Sequence, residues 1–388
     1  MEIALLPEFG WSIKNSPVYG PGSVFQGFVK AKFTEEQLRK ADRLRIVFHA
    51  TESIYSSAYI IPIYNNQLFG TQKTLWKRKN NMEQTSLKWE PGVQASIPFI
   101  VQLPLVQFPP SANITSDGKE MSYQCRQVLS AYLDDSEASV IAKCHKSINY
   151  IPFVETGISK KPINISNLEK TPLPDNDNTK QPSVNVNLHS LDYISGDKIP
   201  LSLTFHHIPK KSIDSVSFRL YQVQTWNKIT RSEKSMKGEF RSKHLVSQNT
   251  INSLSESAII ESGGNSVKSS LSTSLQIPVD TLPTFTYSPV FSLYYSLEIT
   301  ITKKGKLWSH KLDLNHVPIK IGTLGYGIRS SEEIKIYSVF ASVFDHQANQ
   351  RQGTVLPVPR FLNVIEYEDT LPVYINEQLP TYESIVKT

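Results

Sequence analysis

The chain has 388 residues, enough for two domains of ordinary size, with 39% hydrophobic and 20% charged residues. That balance is too apolar for a disordered chain, and the lack of any run of about 18 apolar residues excludes a membrane-spanning helix. Lys and Arg number 41 against 35 acids, a formal net charge of +6, and the pI is ≈ 9.0. The charge is uneven. Residues 361–388 carry Glu366, Glu368, Asp369, Glu377 and Glu383 against Lys387 alone, so a basic body precedes an acidic terminus. Cys125 and Cys144 are too few and too scattered for a disulfide framework. The first residues show no basic and then apolar pattern of a secretory leader, so the chain is expected in the cytoplasm.

Near the N-terminus, Tyr19-Gly-Pro-Gly-Ser23 leads into an apolar run, which predicts a glycine turn that feeds a strand directly. Thr34 and Gln37 have capping-box spacing, which predicts one or two helical turns over residues 34–41. This segment lacks an apolar face and reads as a surface element between strands. Leu44, Ile46, Phe48 and Ala50 then alternate with Arg45, Val47 and His49, the period of a half-buried strand. The basic run Lys77-Arg78-Lys79 reads either as an ordinary solvated loop tip or as a contact for anionic lipid or an acidic cargo segment. Three such charges bias orientation at about 1 kcal/mol each but do not anchor a protein. Residues 123–133 form another strand, and Asp134-Asp135 after it are assigned to a turn.

Residues 155–183 are polar, proline-rich and aperiodic and read as a linker between two halves. Beyond it Val184, Val186 and Leu188 alternate with Asn185 and Asn187. Tyr193-Ile-Ser-Gly196 repeats the aromatic and glycine turn of the first half. His206-His207 point to opposite faces of a strand and so do not chelate one ion, and no metal site is expected. Val216, Phe218 and Leu220 alternate with Ser217, Arg219 and Tyr221. The Ser-rich stretch 234–270, with Gly263-Gly264, reads as a long mobile loop. In residues 291–301 one parity is Phe291, Leu293, Tyr295, Leu297, Ile299 and Ile301, and the other is largely polar. Many short strands with proline and glycine stops predict two tandem antiparallel β-sandwiches. The domains are drawn at 1–154 and 184–325, followed by a flexible tail, 326–388.

In chain order, Leu44-Arg-Ile-Val-Phe-His-Ala50, Ile97-Pro-Phe-Ile-Val-Gln-Leu-Pro104, Phe108-Pro-Pro-Ser111 and residues 123–133 resemble the N-domain series of the arrestin fold, the fungal alpha-arrestin (arrestin-related trafficking adaptor) family in particular. Val216 to Gln222, Ile277-Pro-Val-Asp-Thr-Leu-Pro-Thr284, residues 288–301 and Val317-Pro-Ile-Lys-Ile-Gly-Thr323 resemble its C-domain series. The resemblance spans roughly residues 15–323. Visual and beta-arrestins also carry a buried charged core and a regulatory tail that locks it, and no residues here are assigned to that device.

The terminus carries two copies of one motif. Leu371-Pro372-Val373-Tyr374 and Leu379-Pro380-Thr381-Tyr382 both read LPxY, in an acidic, aperiodic segment. Proline holds the chain near polyproline II, the conformation that WW domains read, and the tyrosine two residues on fills a second pocket. Leucine in place of a first proline keeps apolar contact and loses some preorganisation. In the family that the sequence resembles, such motifs recruit WW-containing HECT ubiquitin ligases. The resemblance therefore implies a non-enzymatic adaptor, without cofactor, that links membrane-protein cargo such as transporters to a ligase. Such an adaptor is recruited peripherally to the plasma membrane or endosomes and promotes cargo ubiquitination, endocytosis and sorting. The rival reading is a coat-like endosomal sorting subunit with the same fold and no ligase. GxSxG, HExxH, P-loop and CxxC motifs are absent, and basic residues do not form aromatic-interleaved stripes, so neither an enzyme nor nucleic-acid binding is expected.

Overall fold

The computed structural model describes residues 1–6, 12–13, 16–58, 60–78, 89–118, 120–157, 163–168, 183–206, 208, 212–227, 240–252, 268–304 and 310–337. Their regular structure is strand apart from one short helix. The elements of the first half are β1 (Glu2–Leu5), β2 (Ser12–Ile13), β3 (Ser16–Tyr19), β4 (Val24–Lys32), α1 (Glu35–Lys40), β5 (Ala41–Ser56), β6 (Tyr64–Lys77), β7 (Gln94–Gln102), β8 (Val106–Gln107), β9 (Ala112–Thr115), β10 (Met121–Asp135) and β11 (Val140–Tyr150). Those of the second half are β12 (Ile163–Leu168), β13 (Ser183–Leu188), β14 (Asp192–Ile194), β15 (Lys198–His206), β16 (Ile213–Trp226), β17 (Phe240–Asn252), β18 (Lys268–Gln276), β19 (Phe291–Lys303), β20 (His310–Gly322) and β21 (Lys335–Ile336).

Two sandwiches result. The first pairs a sheet ordered β1-β4-β7 with a larger one ordered β2-β3-β11-β10-β5-β6, to which β9 adds beside β10. The second pairs β12-β13-β15-β18 with β14-β20-β19-β16-β17. Neighbours are antiparallel except β3 on β11, β14 on β20 and β21 on β8. The alternation that predicts the strands is the alternation that buries them. Leu44, Ile46, Phe48 and Ala50 are buried, as are Phe291, Leu293, Tyr295, Leu297, Ile299 and Ile301. Both glycine turns have the expected left-handed residue, Gly22 at φ 74° and Gly196 at φ 94°. The capping box on α1 is complete: Gln37 N donates to Thr34 Oγ1 and Thr34 N donates to Gln37 Oε1.

Three sequence expectations need correction. Residues 240–252 and 268–270 are strand, β17 and the start of β18, and not loop. β17 is a sheet-edge strand with only half-buried and exposed residues, so it lacks the apolar alternation that marks a strand. β12 lies inside the stretch read as a linker and pairs with β13. Asp134 is not a turn residue. It is fully buried at the end of β10, and only Asp135 works in the turn, where Oδ1 accepts from Glu137 N and Ser139 N.

Candidate functional site

The two sandwiches meet along a seam built largely by β5 and β10 on one side and the approach to β19 on the other. Tyr123 of β10 lies on Phe291 of β19, with ring centroids 4.2 Å apart and planes within 13°. Tyr287 Oη donates to the Phe108 carbonyl at 2.8 Å. The closing Ile-Gly-Thr of β20 holds the crossing between the domains. A side chain at Gly322 would lie 2.3 Å from Thr156 Cγ2, so only glycine permits that approach. Thr323 Oγ1 donates to the Pro152 carbonyl and accepts from Val154 N, both at 2.8 Å.

Glu52 sits inside this seam with no exposed surface. It occupies the inward parity of β5, between Ala50 and Ile54, where an apolar residue is expected. Its Oε1 accepts from Tyr123 Oη at 2.8 Å and from Ser288 Oγ at 2.6 Å, and its Oε2 accepts from Tyr337 Oη at 3.4 Å. The three donors come from the first sandwich, the second sandwich and the chain that leaves the second. Burial pushes the carboxyl above its ordinary value, while the Ser288, Tyr123 and Tyr337 hydroxyls pull it back. Burial likewise drives the Tyr123 hydroxyl far up, with Cys125 and Glu52 adding to the effect.

Tyr337 belongs to a strap over residues 324–337. Sequence reading places the start of the tail at 326, but this part of it is packed. Tyr326 Oη donates to the Asp192 carbonyl at 2.9 Å. Ser330 donates through N and Oγ to Glu155 Oε1, and Arg329 pairs with Glu155 Oε2 at 2.8 Å. β21 then adds in parallel to β8 of the first sandwich, and Tyr337 is buried. The last described residue, Tyr337, therefore lies in the seam.

The basic run divides. Arg78 is bound to α1: its guanidinium donates to the carbonyls of Arg39, at 3.0 Å, and Leu38, at the helix C-terminus. Lys77 is on β6 directly opposite Arg43 of β5. Lys79 lies outside the described residues. A motif at contiguous sequence positions thus has one structural member and one on an open sheet face. The six tail residues Leu371, Pro372, Tyr374, Leu379, Pro380 and Tyr382 also lie outside the described residues. Sequence reading missed Glu52 and the pairing of Asp134 with Arg43 and Arg45. The signal for Glu52 was a carboxylate in the buried parity of a strand, and for Asp134 it was a second acid beyond what the turn requires.

Among the described residues no group of His, Cys, Asp and Glu is placed to hold a metal ion, and no helix is long and apolar enough to cross a membrane. No curated protein matches the chain. Residues 178–326 match the family described as arrestin (or S-antigen), C-terminal domain. The match covers β13 to β20, a run of strands that includes the second glycine turn and closes with Ile-Gly-Thr. The second sandwich is thus similar to an arrestin C-terminal domain, and another β-sandwich precedes it in the chain.

Proposed function

We propose that this chain is a non-catalytic adaptor that brings a WW-domain HECT ubiquitin ligase to membrane-protein cargo such as transporters, with cargo held by the sandwiches and ligase by the tail. The observation that carries the reading is the pair of LPxY motifs, residues 371–374 and 379–382, in the acidic terminus. The seam supports it. The strap brings Tyr337 into the seam between the two sandwiches, and the sequence that carries the motifs follows it. Proximity then does the work. It raises the effective concentration of ligase around cargo lysines, and two weak motifs on one tail add about 10² or more in avidity when both engage. The adaptor supplies no reacting group, and its site of action is the cytoplasmic face of the plasma membrane or endosomes.

The test is capture of ligase by the full chain. Wild-type protein is expected to retain a tandem WW fragment on beads, and Tyr374→Ala with Tyr382→Ala is expected to retain almost none. Equal retention by both, or none by wild type, contradicts ligase recruitment and favours a coat-like sorting subunit that works through the sandwiches alone.

A further inference from the structure

The strap over residues 324–337 is pinned near its middle by the Glu155 carboxylate. Glu155 Oε1 accepts from Ser330 N at 2.8 Å and from Ser330 Oγ at 2.6 Å, and Glu155 Oε2 accepts from Arg329 Nη1 at 2.8 Å. Burial pushes the Glu155 carboxyl up, but the Ser330 and Arg329 donors outweigh it and hold the group below its ordinary value, so it is ionised at neutral pH. Beyond this anchor the strap is held lightly. Among the described residues after Ser330, the polar contacts with the rest of the protein are the two-residue pairing of β21 with β8 and the 3.4 Å bond from Tyr337 Oη to Glu52 Oε2. The turn between them closes on itself, with Glu333 N donating to Ser331 Oγ and Ile334 N to the Ser331 carbonyl.

Ser330 also stands in a setting that a kinase can read. Arg329, Glu332 and Glu333 are exposed, and Ser330 is half-buried. Residues 329–331 belong to neither helix nor strand, so the segment can be drawn into an extended conformation without opening a sheet. Glu332 and Glu333 put acids at the second and third positions after Ser330, the pattern that acid-directed serine kinases select, whereas the third position after Ser331 is Ile334. The hydroxyl that secures the strap is therefore also the group such a kinase modifies.

Phosphorylation reverses the sign of the contact. The γ-phosphoryl group of ATP passes to Ser330 Oγ: the bond from Oγ to phosphorus forms, the bond from that phosphorus to the bridging oxygen breaks, ADP leaves, and the hydroxyl proton goes to the base of the kinase. Ser330 Oγ then has no proton to donate, and a group of about −1.5 to −2 charge is attached to an oxygen that lies 2.6 Å from a carboxylate oxygen. Arg329 carries one positive charge and cannot neutralise both anions. A phosphate placed beside an acid disrupts its surroundings by like-charge repulsion. From these contacts we infer that Ser330 is a phosphorylation site for an acid-directed serine kinase, and that its phosphate expels the strap from Glu155 and withdraws Tyr337 from the seam. The inference uses nothing from the LPxY motifs, so a failed WW experiment leaves it standing.

The test treats the full chain with casein kinase II and ATP, maps phosphate by fragment mass, and follows hydrogen exchange over residues 331–337. Phosphate is expected on Ser330, and exchange over that segment is expected to rise about tenfold while β5 and β19 keep their protection. Ser330→Ala, treated alike, loses a donor without gaining charge and is expected to show a rise of about twofold at most. In phosphorylated Glu155→Gln the carboxamide can donate to the phosphate, and the rise is expected to fall to the alanine level. Absence of phosphate from Ser330 of the folded chain overturns the proposal. So does phosphate on Ser330 with unchanged exchange. An equal rise in phosphorylated wild type and phosphorylated Glu155→Gln also overturns it, because the effect then comes from bulk and not from charge.

Discussion

The Glu52 carboxylate of the first sandwich accepts a 2.6 Å hydrogen bond from the Ser288 hydroxyl of the second. The residues stand far apart in sequence, and the bond is made in the buried centre of the seam. Among the described residues, the hydroxyls of Tyr123, Ser288 and Tyr337 satisfy that carboxylate. Its protonation state and the integrity of the seam are therefore linked.

The sign of that linkage is set by the upward displacement of the Glu52 carboxyl from 4.5 in the folded chain. A raised folded value means that the folded chain binds the proton more tightly than the unfolded one. The stabilisation is complete below the ordinary value and is lost as pH rises through the raised one. Glu52→Gln, which keeps an acceptor for Tyr123 and Ser288, is expected to remove this pH dependence and to be at least as stable as wild type at pH 7. The difference is expected to shrink toward pH 4.5 in thermal melts. A Gln variant that is less stable at pH 7 than at pH 5, relative to wild type, contradicts the assignment.

Deleting the acceptor has a different consequence. Glu52→Ala leaves the hydroxyls of Tyr123, Ser288 and Tyr337 without it. Each buried orphan costs about 1–3 kcal/mol. Denaturant unfolding is expected to show a loss of several kcal/mol, larger than for an exposed glutamate such as Glu36.

Asp134 is the counterpart on the sheet face. It has no exposed side-chain surface, while Arg43 and Arg45 retain 35% and 22%. Asp134→Asn leaves two arginines facing one neutral amide. Breaking a buried pair costs about 3–5 kcal/mol, and the partial exposure of both guanidiniums reduces this to about 2–3 kcal/mol. Urea titration checks the value, and a loss below about 0.5 kcal/mol contradicts the assigned role.

The two described members of the basic run contribute unequally to stability. Arg78→Ala removes the side chain that satisfies helix-end carbonyls and is expected to cost about 1 kcal/mol. Lys77→Ala is expected to stay within about 0.5 kcal/mol of wild type, as exposed substitutions generally do. Paired unfolding curves separate the two.

The sequence was most legible where one face of a strand is buried and the other is wet. β5 and β19 follow because residues such as Phe48 and Leu297 recur at period two against polar neighbours. β17 was not legible, because an edge strand with little burial leaves no apolar trace. The strap was not legible either, since Tyr337 is held by Glu52, a partner far away in sequence. The same reason hid the Asp134 site, where two cations and an acid on adjacent strands form one unit only after pairing. Arg78 shows the converse. Its place in a basic run is visible, but its use at the end of α1 is a tertiary fact.

The adaptor reading rests on the terminus, and the most direct measurement is a calorimetric titration of a peptide of residues 361–388 into single and tandem WW domains. The peptide is expected to bind a single WW domain weakly and a tandem pair more tightly, with Tyr374→Ala and Tyr382→Ala together removing both signals. The spacing limits the gain, since eight residues span at most about 25 Å in polyproline II, at 3.1 Å per residue. If only one domain docks at a time, either single Tyr→Ala change costs at most about a factor of two. A wild-type peptide that binds no WW domain at millimolar concentration contradicts ligase recruitment by this chain.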